Sequence, residues 1–402
     1  MANLETEFCG VKFRNPLVVS SIEPTNSVDK LKRCIDAGAG GAIVKTLTDI
    51  PDMHKLSKHS KYAILNNKGR LIRGVIPRSF SFYARSGYSS DPYEEWIPHL
   101  KEAQAHAEGS GAQIIGSVGA KSMEGWRDIC RAVEDCGIKL VELNFGCPHP
   151  AMMPGVRGGS MIGQDPEMAA EVTGWVANAV DIPVIIKMTP DQSRPIEVAR
   201  AVKDAGASAV TLTNRYTGFA VDIETGKPYI GGPAGVGGPW IKPLSLRWVH
   251  EIHSKLGIPI AGSNGIFDAR DAIEFIMSGA TLMQIGSVLM LKGIEYLSEV
   301  VDGMSTLLDE YGYPDLPSIH GLASRQAATS YQAHFEAKPV RAAIDQEKCK
   351  FPKCENCIRS CFHEALSGDN GTVVTLEENC LGCELCYSVC PHNAIEMVDK
   401  AA

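Results

Sequence analysis

Eight of the thirteen cysteines crowd the C-terminal end of the chain, and their spacing is that of thiolates gripping iron and sulfide. The run CLGCELCYSVCP places Cys380, Cys383, Cys386 and Cys390 in the pattern C-x2-C-x2-C-x3-C-P. In that pattern three closely spaced thiolates hold one [4Fe–4S] cubane and the fourth reaches a second cluster. An earlier set, Cys349, Cys354, Cys357 and Cys361, reads C-x4-C-x2-C-x3-C, widened by the insertion KFPK and lacking the final proline. Crossed ligation joins Cys349, Cys354 and Cys357 with Cys390, and Cys380, Cys383 and Cys386 with Cys361. Structural zinc sites pair C-x2-C knuckles across longer spacers, a different arrangement. Far from these, VELNFGCPH sets Cys147 just beyond an apolar strand and immediately before a proline. A thiol with a pKa of about 8.5 is protonated at neutral pH and can act as an acid. Cys9, Cys34, Cys130 and Cys136 suit the role of small buried hydrophobes instead.

These groups need elements to hold them. Short β-branched runs at 15–21, 41–46, 113–119, 140–146, 183–189, 209–214, 259–265 and 282–288 alternate with helical stretches such as EVARAVKDAGA and DARDAIEFIMSGA. Near-continuous apolar strands separated by helices mean a parallel sheet covered on both faces. Eight such units predict an α/β fold, a (β/α)8 TIM barrel, over 1–310. A polar linker follows over 311–345, with Tyr331, His334 and Phe335 expected to pack along the barrel, and 346–402 forms a two-cluster ferredoxin-like iron–sulfur domain.

Barrels work at the C-terminal ends of their strands. That places Ser20 and Ser21, Lys45 and Thr46, Asn144 to Cys147, Lys187, Thr213 and Asn214, Asn264 and Gly265, and Gly286 and Ser287 at the mouth. The runs GSNGI and QIGSV offer glycine amides and Ser287 to a phosphate, and Lys187 and Lys45 offer cations to an anionic ring. An iron–sulfur relay moves single electrons, and a flavin converts them to hydride, so FMN is the cofactor expected here. No G-x-G-x-x-G follows a predicted strand, which excludes a dinucleotide domain of the usual kind. Long connections at 47–93 and 215–242 and the glycine-bearing loop after Cys147 read as substrate-binding or lid segments, and Gly238 joins Ser20, Ser21, Lys45, Thr46, Lys187, Thr213, Asn264, Gly265, Gly286 and Ser287 as residues expected to bind the cofactor.

The bulk properties set limits on function. The 402 residues carry a net charge of −8 and 21% charged residues, with no basic cluster of the kind nucleic acid requires. No run of eighteen apolar residues marks a membrane span, and MANLETEFCG has neither the basic nor the apolar region of a secretory signal. With cysteines spaced for metal, a reducing cytoplasmic setting is expected.

The motifs NFGCPH, GQDPE, IIKMTP, TLTN, GVGGPWIKPLSLR and GSNGI resemble the FMN domain of the dihydropyrimidine dehydrogenase and dihydroorotate dehydrogenase family. The nearest architecture is a bacterial subunit in which an FMN barrel precedes a two-cluster ferredoxin domain. The resemblance implies that Cys147 protonates the substrate carbon next to the one receiving hydride, that Asn144 holds a substrate amide, and that His149 tunes Cys147. It also implies an FAD- and NAD(P)H-binding partner subunit, or ferredoxin, as electron donor, in a homodimer or heterotetramer. Departures fall on the substrate side. Ser81 or Phe82 stands where pyrimidine-reducing relatives have an asparagine, Asn214-Arg215 replaces Asn-Thr, and Gly146 replaces serine. A uracil site is built of amide partners, so an added arginine points to a carboxylate or a larger ring. The expected reaction is therefore reversible reduction of an activated C=C, in uracil or thymine or in another unsaturated carbonyl, carboxylate or aromatic compound. The remaining alternative is a non-catalytic electron-transfer subunit.

Overall fold

The computed structural model describes residues 2–153, 155–328 and 338–400. Contacts divide the chain into two compact units, Met1–Gln326 and Ala327–Ala402.

The first unit is a closed barrel of eight parallel strands. They are β1 (Leu17–Val19), β2 (Gly41–Ile43), β3 (Gln113–Val118), β4 (Val141–Phe145), β5 (Val184–Met188), β6 (Ala209–Leu212), β7 (Ile260–Ser263) and β8 (Leu282–Ile285). Each pairs with the next, and β8 closes onto β1 through Met283 opposite Leu17. Helices such as α1 (Val28–Asp36) and α2 (Tyr93–Glu108) cover the outside. All eight apolar runs seen in the sequence form strands, and each strand ends before the last residue of its run, with Asn144 and Lys187 still inside β4 and β5.

Side chains of a strand alternate between faces. Outward residues such as Leu143, Ile186, Leu212 and Met283 join the helices in the main core. Inward residues form layers. At the N-terminal end Val18, Ile43, Ile115, Leu140, Ile185, Ala209, Ala261 and Leu282 close the barrel over Phe8 and Phe13 of an N-terminal hairpin. Two residues further along, Ser117, Glu142, Lys187, Thr211, Ser263 and Gln284 are buried and polar. The floor of the barrel is thus apolar, and its next layer is charged.

The two long connections build one structure. Lys61–Asn66 and Phe80–Arg85, from the connection after β2, pair with each other, and Phe80–Arg85 pairs with Ala234–Gly237 from the connection after β6. Tyr216–Gly218 completes this four-stranded antiparallel sheet. Tyr83 clamps it by donating to Gly218 O at 2.6 Å and Gly232 O at 3.0 Å.

The stretch 311–345 is not a continuous linker. Leu316–Ile319 and Leu322–Gln326 are helical, and Leu316 and Ile319 are buried in the main core. Val340–Ile344 pairs antiparallel with Ile395–Asp399, closing the second unit on itself. The expected packing of Tyr331, His334 and Phe335 lies outside the described residues. Among the described residues, no helix is long and apolar enough to cross a membrane.

Candidate active site and iron–sulfur centre

The polar ends of the strands enclose two adjoining cavities. The first is lined by Ser20, Ser21, Lys187, Thr213, Gly238, Asn264, Gly265, Gly286 and Ser287, with Asn144, Asn214 and Arg215 on its boundary. The second is lined by Lys45, Thr46, Tyr88, Cys147 and His149 and shares Ser21, Asn144, Asn214 and Arg215 with the first. The barrel residues read in the sequence as catalytic, substrate-binding or cofactor-binding line one cavity or the other, whereas Phe145, Gly146, Ser81 and Phe82 line neither. Lys45 and Thr46, read there as cofactor residues, line the second cavity rather than the first. Thr46 lies at the junction, its hydroxyl 3.1 Å from Ser21 Oγ and accepting from Asn144 Nδ2 at 3.1 Å.

The first cavity depends on missing side chains. At Gly265, with φ +118°, a Cβ would lie 2.7 Å from Lys242 Cα. At Gly286 a Cβ would meet Ile22 and Ser20 at 3.4 and 3.5 Å, narrowing the cavity. Thr213 Oγ1 is buried without a partner among the described residues, and Thr213 lines this cavity.

Beneath the cavity runs a buried charged network that the sequence reading missed. Lys187 Nζ donates to Gln284 Oε1 at 2.6 Å and stands 3.4 Å from Glu142 Oε1. Glu142 is fully buried, and its Oε2 accepts from Thr211 at 2.7 Å and from Gln284 at 2.5 Å. A buried ion pair persists only when its remaining lone pairs are satisfied, and here Thr211 and Gln284 satisfy them. The available signal was alternation: Glu142 stands two residues before Asn144, on the same inward face.

Lys45 is held differently. Its ammonium pairs with Glu23 Oε1 at 2.9 Å. Burial alone would raise the Glu23 carboxyl, but Lys45, the Tyr62 hydroxyl and Arg215 together hold it down at about 2.

Cys147 sits where β4 turns into a short helix, Pro148–Ala151, with Pro148 in the first helical position. Asn144 Oδ1 accepts the backbone N–H groups of Gly146 and Cys147 at 3.3 and 3.1 Å, which fixes the turn. The glycines after Cys147 serve close packing: a Cβ at Gly159 would lie 2.0 Å from Cys147 O, and one at Gly163 2.1 Å from Phe145 O. Cys147 Sγ is 3.5 Å from His149 Nδ1. Burial raises the thiol above its ordinary value. Burial, with Arg215, Arg85 and Lys45 nearby, depresses His149 to about 4. Both groups are therefore neutral at pH 7, a thiol beside an imidazole. His149 Nε2 is buried without a partner.

This sets a pH expectation. A histidine depressed to about 4 stays neutral through the range where an ordinary one titrates. The turnover profile should show no histidine inflection between about pH 5.5 and 8, and an NMR titration of His149 should place its midpoint well below the free value.

Arg215 borders both cavities, and among the described residues its guanidinium forms no ion pair. It lies over Gly235 and Gly237, where Cβ atoms would approach Nε and Cγ at 3.3 and 3.5 Å. Gly146 is glycine for a related reason. A Cβ there would stand 2.6 Å from Asn214 Cβ, so serine at this position would displace Asn214.

In the second unit, all eight cysteines are free of disulfides. Cys361, Cys380, Cys383 and Cys386 line one cavity, and Cys349, Cys354, Cys357 and Cys390 line another. Each cavity takes three cysteines from one motif and the last from the other. Among the described residues, no three His, Cys, Asp or Glu side chains converge as a single-ion site requires.

Residues 3–308 match the dihydroorotate dehydrogenase family, and 342–397 match the 4Fe-4S dicluster domain. The catalytic subunit of dihydroorotate dehydrogenase B (NAD(+)) from Methanothermobacter thermautotrophicus is 30% identical, over 80% of this chain and 98% of its own length. The corresponding Pyrococcus furiosus subunit is 31% identical over 80% of the chain and 99% of its own. The NAD-dependent dihydropyrimidine dehydrogenase subunit PreA of Escherichia coli is 28% identical over 98% of this chain and 95% of its own, spanning barrel and cysteine-rich unit alike. With its barrel matched along nearly its full length, the chain belongs to the dihydroorotate dehydrogenase family and carries a 4Fe-4S dicluster domain.

Proposed function

We propose that the chain is an FMN- and iron–sulfur-dependent oxidoreductase that reversibly reduces an activated C=C, forming 5,6-dihydropyrimidine from uracil or thymine. The observation that carries this reading is the neutral Cys147–His149 pair, set in a cavity that adjoins a glycine-lined one. The first cavity fits FMN. Asn264, Gly265, Gly286 and Ser287 would hold the phosphate, Thr213 Oγ1 awaits a partner, and Lys187 supplies a cation to the ring. Bound there, FMN would supply hydride chemistry and a link to single-electron carriers.

The chain's own residues supply the rest. Adding hydride to one carbon of an activated double bond leaves negative charge on its neighbour, and a positioned acid must protonate that neighbour. Cys147 is such an acid, kept protonated by burial and by the absence of an imidazolium partner. Asn144 holds its turn, and the long connections roof the site. Electrons arrive through the cysteine-rich unit from an FAD- and NAD(P)H-binding partner subunit or from ferredoxin. The relatives' names, which designate them subunits, support a partner. The reaction fits a cytoplasmic homodimer or heterotetramer.

A second reading keeps this machinery for a substrate bearing a carboxylate. It is favoured by Arg215, a cation bordering the cavity, and by His149 Nε2, buried without a partner among the described residues. One experiment separates the readings. Protein purified anaerobically is photoreduced and mixed with uracil, thymine or orotate, and the flavin absorbance is followed. Reoxidation by uracil or thymine supports the first reading, and reoxidation by orotate alone supports the second. Protein that carries no flavin after gentle purification removes both and leaves an electron-transfer subunit.

A further inference from the structure

Tyr88 plays no part in the reading above, yet it packs in one buried cluster with the reacting thiol. It follows the roof strand Phe80–Arg85 and buries its ring with Ile50, Met53 and Cys147. Its hydroxyl is sealed from solvent and has no aligned hydrogen-bond partner, although Tyr88 lines the same cavity as Cys147 and His149. Gly119 backs the ring: a Cβ there would lie 2.7 Å from Tyr88 Cε2 and 3.1 Å from its hydroxyl oxygen. The hydroxyl therefore cannot retreat toward β3.

A buried hydroxyl without a partner calls for an explanation. The sulfur of a protonated thiol is a weak acceptor, and a thiolate is a strong one. While Cys147 stays a thiol, its sulfur offers the Tyr88 hydroxyl only this weak acceptor, and His149 Nδ1 stands 3.5 Å from the same sulfur. Once the proton has gone, the sulfur becomes a far stronger acceptor for this hydroxyl.

We propose that Tyr88 is a positioning residue that donates a hydrogen bond to the Cys147 thiolate left by each proton transfer. This rests on the assignment of Cys147 as proton donor. In that step the Cys147 S–H bond breaks, the proton forms a C–H bond at the substrate carbon beside the hydride acceptor, and the S–H electron pair stays on sulfur. Tyr88 keeps its proton throughout, and the thiolate regains one from water. The other groups facing the sulfur are the backbone N–H and ring of His149, Lys45 from the end of β2, and Arg215 from the connection after β6. Arg85 acts on His149. Lys45 is already neutralised by Glu23. Tyr88 is thus the uncharged side-chain donor in the set, and burial keeps its hydroxyl protonated well beyond the ordinary tyrosine range.

The test reads Cys147 ionisation directly, without turnover. Full-length Tyr88→Phe and unmodified protein are treated with methyl methanethiolsulfonate across a pH series, and modification at Cys147 is quantified by peptide mass. Loss of the donor should move the midpoint up by about one unit and slow modification at pH 8 roughly tenfold. Gly119→Ala, which forces the ring to shift, should move it in the same direction. Superimposable profiles for Tyr88→Phe and unmodified protein would overturn the proposal. Undiminished turnover in Cys147→Ala would instead remove the proton-donor assignment, whatever the profiles show.

Discussion

Cys147→Ala should lose about 10³-fold in the rate of substrate reduction, the range expected when a positioned acid is removed, while flavin and iron contents stay unchanged. The loop should survive the change. Asn144 Oδ1 bonds the backbone N–H of residue 147 and Ser160 N–H donates to its carbonyl at 2.8 Å, so neither contact uses the sulfur. The first cavity is lined by other residues, and the cluster cysteines belong to the other compact unit. What disappears is the thiol proton, and His149 beside it is neutral and cannot replace it at pH 7. Cys147→Ser should recover little, since a hydroxyl is a far weaker acid than a thiol. Stopped-flow reoxidation of the reduced protein by its substrate measures the effect, and a Cys147→Ala rate within a few-fold of normal would refute the assignment.

The parts of this site legible in the sequence are those fixed by local chemistry. The eight strands could be read because strands covered on both faces become continuous apolar runs, and their polar tails pointed to the mouth of the barrel. The cysteine sets could be read because thiolate spacing is itself the motif. Residues whose role comes from long-range contact could not be read this way. Tyr88 meets Cys147 only because the connection after β2 folds back over the barrel, and no spacing links positions 88 and 147. Gly146 looked like a lost substrate contact, but it makes room for Asn214, sixty-eight positions later. Lys45 reads from the sequence only as a cation at a strand end, and its pairing with Glu23, from the loop after β1, comes from the fold. Glu142 was hidden in an apolar strand, and only closure of the barrel brings it to Lys187 and Gln284.

Cys390→Ala should remove the cluster held by the first motif, Cys349, Cys354 and Cys357, and leave the one held by its own neighbours. The two halves of the unit are built alike. Asn356–Ser360 and Leu385–Val389 are matching short helices, each followed by a cysteine whose sulfur accepts a backbone N–H four residues on: Ala365 to Cys361 and Ala394 to Cys390, both at 3.3 Å. Each fourth cysteine lines the cavity of the other triplet. Charge neighbours divide the same way: Cys357 is affected by Cys349 and Cys390, and Cys386 by Cys380, Cys383 and Cys361. Iron and acid-labile sulfide should therefore fall by about half in Cys390→Ala and in Cys361→Ala, with different spectra of the surviving cluster. After reduction, the electron paramagnetic resonance signal of Cys390→Ala should match that of Cys357→Ala, and the signal of Cys361→Ala should match that of Cys383→Ala. A match between Cys390→Ala and Cys383→Ala would place the fourth ligand within its own motif. The widened C-x4-C spacing follows from the same geometry. The additional residues lie between Cys349 and Cys354, inside the triplet whose cavity Cys390 completes, so they alter the loop around one cluster and leave the exchange of fourth ligands intact.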